Sequence, residues 1–267
     1  MICKVCGNRT EKFFTAKVLE KYTTDYYYCQ SCQFLAPKEI VWLKEAYQHP
    51  INISDTGLVS RNLYFSWVIS AILFFLFQKN ATFLDYAGGT GLLTRLMRDI
   101  GFDFYTDDPY SQNILARGFE YQSRKDLTIE LITAFECFEH FANPLEEVDK
   151  ILSISKNVIF STDLLPHPPP APEDWDYYAF EHGQHVSFYS HKTLNYIAKK
   201  YQLNFHSHNN IHLFTNRNIS DFIYRLIIKA SKWGLQLVVK KLMSSKTVSD
   251  QFYLIKKHKD LLKDYDN

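Results

Sequence analysis

The passage Thr82-Phe83-Leu84-Asp85-Tyr86-Ala87-Gly88-Gly89-Thr90-Gly91 constrains the fold more than any other part of the chain. An apolar run of strand character passes straight into a glycine-rich turn. Small residues there let the backbone bend sharply and approach a ligand at the carboxyl end of a strand. A helix pattern follows from Leu92 to Arg98 and stops at Gly101. Strand, glycine turn and helix together open a doubly wound α/β sheet.

The alternation continues downstream. Phe102 to Thr106 predicts a strand ending at Asp107-Asp108-Pro109, and the uncharged run Leu131 to Phe135 fits the interior of a parallel sheet. Asn143-Pro144 predicts a helix start, with Glu146 and Glu147 in the favourable first turn, and Asn157 to Ser161 predicts a strand. Pro166 to Pro172 must be a stiff loop. Another helix follows Ser190, and segments near Phe205 and from Ile211 to Thr215 are expected to close the sheet as a hairpin. The domain expected is Rossmann-like and spans residues 81–216, after a module at 1–50 and a helical lead-in at 51–80, and before a basic helical tail at 217–267.

Cys3-x2-Cys6 and Cys29-x2-Cys32 place two thiolates each on a tight turn. Two such turns complete the tetrahedral sulfur set that structural zinc prefers, so Cys3, Cys6, Cys29 and Cys32 are the expected ligands of a zinc-ribbon module. Gly7 supplies the permissive backbone after the first pair. Cys137 lies far away after a core strand and reads as a small core residue.

The glycine turn admits a competing nicotinamide reading. G-x-G-x-x-G would begin at Gly89, but its third glycine position is Thr94, and no Lys-Ser/Thr follows to make a phosphate loop. The passage resembles the first motif of class I S-adenosylmethionine (SAM)-dependent methyltransferases. Asp85, Gly89 and Gly91 match that motif, Gly88 lies within it, and Ala87 stands at its first glycine position. Asp108 matches the family's ribose-binding acid, with Asp107 as a competitor. Ala134-Phe135-Glu136-Cys137-Phe138-Glu139-His140 resembles the fourth-strand passage of the same family, which implies that Ala134, Phe135 and Glu136 line the methionine end of the cofactor. Glu139 and His140 admit a structural or a catalytic role. The resemblance covers about Ala81 to Thr215 and implies a seven-stranded sheet with SAM as cofactor.

Methyl transfer requires an aligned nucleophile and, for a hydroxyl acceptor, a proton acceptor. Trp175 to Ser190 carries Glu181, His182 and His185 among aromatic residues, and histidine suits the base role. The segment resembles one in zinc-ribbon methyltransferases acting on nucleotide-linked deoxysugars, where a His-Glu-His triplet precedes an aromatic-Phe-Ser run. Aligned on Phe188-Tyr189-Ser190, His185 matches the last histidine, Gln184 replaces the glutamate and Gly183 the first histidine. His185 is therefore the leading catalytic candidate, with His182 and Glu181 behind it. Loss of the carboxylate favours O-methylation over C-methylation. His206 and His208 share a strand face with metal-like spacing, and core-edge histidines are the plainer reading.

The chain carries a net charge of only +1, but ten Lys/Arg against five Asp from Asp221 onward leave about +5 there and about −4 before it. An acidic body argues against a nucleic-acid partner, which weakens the reading as a zinc-bearing ribosomal RNA methyltransferase. A SAM-binding interaction protein without activity is the non-enzymatic alternative. Asp221 to Leu242 reads as a basic amphipathic helix that packs on the body, lies on an anionic membrane surface or self-associates. Leu63 to Phe77 reads as a buried helix, short of the ~20 residues that span a bilayer. Paired cysteines with no opening secretory pattern point to the cytoplasm. The expected reaction is methylation of a small acceptor: a sugar, a nucleotide-linked sugar, or a related precursor of a cell-surface polysaccharide or natural product.

Overall fold

A computed structural model describes residues 1–48, 51, 55–124 and 126–265, with side chains to 258 except that of residue 123. Parts of the expected module (49–50), lead-in (52–54) and tail (266–267) lie outside the described residues. The chain forms two compact units, 1–56 with 131–221 and 57–130 with 222–267.

The first unit opens with strands β1 (Glu11–Val18), β2 (Tyr22–Tyr28) and β3 (Leu35–Pro37), an antiparallel sheet in that order. A short helix, α1 (Leu43–Ala46), follows. In the second unit helix α2 (Leu58–Leu76) leads into β4 (Thr82–Tyr86), α3 (Leu92–Ile100) and β5 (Asp103–Asp107). Strand β6 (Ile129–Ala134) returns the chain to the first unit, which continues with α4 (Pro144–Ile154), β7 (Val158–Ser161), α5 (His191–Lys200), β8 (Asn204–His208) and β9 (Ile211–Thr215). From Phe222 the chain is back in the second unit, with helices α6 (Asp221–Ser231), α7 (Leu235–Leu242) and α8 (Thr247–Tyr265).

The central sheet runs β5-β4-β6-β7-β9-β8, with β4 parallel to β5, β6 parallel to β7, and β9 antiparallel to both neighbours. The expected closing hairpin is therefore β8–β9. Among the described residues the sheet has six strands where seven were expected. The segment after β5 forms one bridge, Thr106 to Glu120, and a 3-10 turn at Tyr121–Ser123. The Glu120 carboxylate accepts the Gly118 N–H at 3.0 Å, and such a local bond competes with a strand ladder. The tail also differs from one continuous helix. Gly234, at φ 102°, separates α6 from α7 and leaves Trp233 90% exposed.

Helix α2 is long and apolar enough to cross a membrane by length and composition. It buries every residue from Phe65 to Leu73 except Trp67.

In the first unit the indole N–H of buried Trp42 donates to the Gly183 carbonyl at 2.7 Å. Gly183 has φ +66°, and a Cβ there would meet Trp42 and Val18 at 3.0 Å. This explains why a glycine stands where the resemblance placed a histidine.

In the second unit Arg98 is 4% exposed and bonds both carboxylate oxygens of Asp250, at 2.7 and 2.8 Å. It also reaches Asp103 and the Phe104 carbonyl at 2.8 Å and stacks on Phe119. Burial works against charge on Asp250, yet the bonds and charge of Arg98 hold its carboxyl below the usual range. Removing one member of a buried pair costs about 3–5 kcal/mol, and Asp250→Ala should fall near the low end because Arg98 keeps Asp103. A depressed folded-state pKa stabilises above the unfolded value of ~3.9 and loses that contribution as pH falls through the folded value. The gap in urea-unfolding stability between wild type and Asp250→Ala should thus be wide at neutral pH and shrink below about pH 4. An equal gap at both pH values would contradict this assignment.

Candidate active site

Within the second unit, β4 delivers the chain into a turn whose backbone is left-handed at Ala87 (φ 55°), Gly89 (φ 57°) and Gly91 (φ 81°). The sequence suits this at two of three positions, and Ala87 carries a strain of roughly 1–2 kcal/mol. A Cβ on Gly91 would lie 2.3 Å from Asn113 Oδ1, and one on Gly88 would lie 2.4 Å from Thr106 Oγ1. Both glycines are required by the protein's own packing. Gly89 differs, because nothing lies within 4 Å of its virtual Cβ. It is the position open to a ligand.

The acids act as braces of this loop. Asp85 is 3% exposed and accepts from the Thr94 hydroxyl at 3.4 Å. Asp108 accepts the Gly89 N–H on Oδ2 at 2.9 Å, and the N–H groups of Tyr110 and Ser111 on Oδ1 at 2.8 Å. Its carboxylate thus fixes the turn with three backbone donors, leaving little acceptor capacity for a ribose. Asp107 accepts the Gln122 amide on both carboxylate oxygens, at 3.0 and 3.1 Å. Sequence reasoning missed Asn113, whose Oδ1 caps Ala116 N–H and whose amide donates to Glu120. It also missed Thr90, whose carbonyl accepts the N–H groups of Ile114 and Leu115. No motif marks either residue.

In the first unit β6 ends at buried Ala134, and half-buried Phe135 and Glu136 follow. Glu136 is left-handed (φ 48°); its N–H donates to Ser161 Oγ at 2.8 Å, and that hydroxyl donates back to Glu136 Oε1 at 2.5 Å. Glu139 is fully buried. Burial first, then the charge of Glu136, pushes its carboxyl well up. His140 Nδ1 lies 2.9 Å from the Tyr47 hydroxyl, and burial lowers its pKa to about 3. The His185 ring stands perpendicular to that of His140, with centroids 5.1 Å apart. Its Nδ1 lies 2.7 Å from the Tyr177 carbonyl, and burial lowers its pKa to about 4. A carbonyl only accepts, so Nδ1 carries the proton and the lone pair is at Nε2.

The structure thus gathers Glu139, His140 and His185, of which the sequence favoured only the last. Glu181 is exposed and lies 3.3 Å from His182 Nε2. Gln184 is buried and donates to the Ala46 carbonyl at 2.9 Å, a structural use of the position where the resemblance expected a glutamate. His206 pairs with Asp221, and His212 bridges Ser207 and the Thr162 carbonyl.

At the amino end, the four cysteine sulfurs lie within 4.8 Å of one another, with Cys3–Cys32 and Cys6–Cys29 at 3.5 Å. Tetrahedral zinc with ~2.3 Å bonds sets sulfurs about 3.8 Å apart, so the donor set fits. Each pair closes the same turn. Gly7 N–H donates to the Cys3 carbonyl and Gln33 N–H to the Cys29 carbonyl, and both residues have positive φ, 76° and 63°. The Thr193 hydroxyl donates to the Cys32 carbonyl at 2.8 Å, tying the second turn to α5.

Residues 62–208 match the family described as "Methyltransferase domain". No curated protein matches the sequence. Among solved structures, TnmH is similar at TM-score 0.44 and 12% identity, over 66% of this chain and 60% of its own, so the chain spans less than two thirds of TnmH. The plantazolicin methyltransferase BpumL in complex with SAH gives 0.43 and 13%, over 74% of this chain and 90% of its own. The magnesium protoporphyrin IX methyltransferase ChlM from Synechocystis PCC 6803 with bound SAM gives 0.37 and 10%, over 66% and 93%.

The open side of Gly89 yields a test. Gly89→Val fills only space left to a ligand and adds backbone strain of roughly 1–2 kcal/mol. Calorimetry should show SAM affinity lost, with the protein still folded by circular dichroism. Unchanged affinity would remove the turn from the cofactor site.

Proposed function

The chain belongs to the methyltransferase-domain family, and from that premise we propose that it moves the methyl group of SAM to a hydroxyl of a small acceptor. The acceptor oxygen bonds to the methyl carbon, the carbon–sulfur bond breaks, and sulfur keeps the electron pair. The hydroxyl proton must leave as the new bond forms. The observation that carries the reading is His185: Nδ1 is committed to the Tyr177 carbonyl, so a neutral ring offers the Nε2 lone pair. A nitrogen of low pKa draws a proton weakly, but the acceptor becomes strongly acidic as its oxygen is alkylated, and late transfer suffices. Gln184, held on Ala46, provides no carboxylate to help remove a proton from carbon, which supports O- over C-methylation.

We place the acceptor among sugars, nucleotide-linked sugars and related precursors of cell-surface glycans or natural products, and the protein in the cytoplasm. Ala134, Phe135 and Glu136 at the end of β6 are proposed to face the methionine part of SAM, and Asp107 or Asp108 its ribose. The exposed Phe222, Leu226, Trp233 and Leu237, with the neighbouring lysines of α6 and α7, supply a surface for an anionic membrane or a second copy of the chain.

Two measurements test the reading. His185→Ala should lower kcat by roughly 10²–10⁴ and leave SAM affinity nearly unchanged; an unaltered kcat would exclude His185. We also propose that Cys3, Cys6, Cys29 and Cys32 hold one structural zinc. Metal analysis should find one zinc per chain in wild type and none in Cys6→Ser/Cys29→Ser. Zinc loss should also raise amide exchange around residues 186–193, because Thr193 and Phe188 bond to the cysteine module at Cys32 and Leu35. Exchange confined to the first 40 residues or so would show that the module folds independently.

A further inference from the structure

Glu139 is a buried acid that its surroundings accommodate poorly. It is fully buried, and neither carboxylate oxygen has a hydrogen-bond partner among the described residues. The hydroxyls of Tyr177 and Thr162, 3.1 Å apart, share one hydrogen bond, and both also act on the carboxyl to lower its pKa without reaching hydrogen-bond geometry. A buried carboxylate without well-aligned donors costs several kcal/mol, which a proton or a cation relieves.

What surrounds Glu139 favours a cation. Ligand atoms of Glu139, His140 and His185 all lie within 4.8 Å of one another. Each histidine has an outer partner at Nδ1, the Tyr177 carbonyl for His185 and the Tyr47 hydroxyl for His140, and the Gln184 carbonyl also faces the His140 ring. Metal-bound histidines are commonly oriented by an outer bond of this kind on one ring nitrogen. Glu136 adds negative charge to the same neighbourhood.

We propose that Glu139, His140 and His185 form a second metal site, for a divalent first-row cation, separate from the four cysteines. Two imidazoles and one carboxylate occupy part of such an ion's coordination sphere and leave positions open. An oxygen donor of the acceptor fits there. A hydroxyl that coordinates a cation becomes more acidic and can release its proton to solvent. With an ion bound, the His185 lone pair that would otherwise take the proton directly holds the ion instead, since one lone pair cannot do both. This role rests on the acceptor reading above, whereas the cation site rests on the three side chains alone.

The test uses the full-length protein as purified, with any zinc in place, and Mn2+ as probe. Manganese favours nitrogen and oxygen ligands over thiolates, so it reports on this cluster and not on the cysteines. Titration followed by loss of the free Mn2+ electron paramagnetic resonance signal should show one ion bound per chain. Glu139→Gln, which keeps the shape of the side chain, and His185→Asn should each weaken binding roughly tenfold or more. Both should keep the wild-type circular dichroism and SAM affinity. If Glu139→Gln does not fold, His185→Asn decides the question. Absence of a bound ion in wild type at millimolar Mn2+, or equal affinity in the folded variants, would overturn the proposal. Failure of the methyltransfer reading looks different: Mn2+ binds at the cluster, but SAM affinity or methyl transfer is missing.

Discussion

The backbone carbonyl of Glu139 accepts two hydrogen bonds at once, from Val186 at 2.8 Å and Ser187 at 3.0 Å. These bonds hold His185 beside His140, although 44 residues separate them in the chain. The same stretch is pinned along its length. Ser187 donates to the Phe141 carbonyl, the Tyr189 hydroxyl to that of Phe138, and Phe188 pairs with Leu35 in both directions. Gly183 and Gln184 tie its start to Trp42 and Ala46. A loop carrying so many backbone and side-chain bonds is a fixed wall, and fixed geometry is what a site needs to orient an acceptor.

Backbone strain marks both candidate regions. Strands β4 and β6 each pass into a non-glycine residue of positive φ, Ala87 at 55° and Glu136 at 48°. Such conformations persist only where the surroundings enforce them, and they concentrate at ligand-binding sites. At Ala87 the enforcement comes from a turn packed by Gly88 and Gly91 and braced by Asp108. At Glu136 it comes from Ser161, which accepts the residue's N–H and donates to its carboxylate.

Much of the fold was legible in advance because hydrophobic period and turn residues are local properties. Strands β4, β5, β6, β7 and β9 and helices α3 to α5 fall where the patterns placed them, give or take a residue or two. The six-strand count among the described residues was not legible, since seven were expected from the resemblance and no hydropathy pattern reports a local bond such as that from the Gly118 N–H to the Glu120 carboxylate. The break at Gly234 was legible as a glycine that interrupts the helical pattern, and the structure makes it the boundary between α6 and α7. What Asp108 and Gln184 hold within the fold was not legible for a similar reason: a resemblance transfers a residue type, while hydrogen bonds decide which neighbours its side chain ties together.

By itself the sequence determined the α/β class, the glycine turn after β4 and the two cysteine pairs. Each depends on residues within a few positions of one another, so spacing and backbone preference suffice to specify it. Only the tertiary structure decided that Cys3 meets Cys32, that Gly183 is needed because Trp42 fills the space beside it, and that Glu139, His140 and His185 converge. Those contacts join segments tens to more than a hundred residues apart. Burial then changes the chemistry of the groups it encloses, leaving Glu139 unpaired and both histidines neutral. Desolvation is a property of the packed fold, and no stretch of sequence carries it alone.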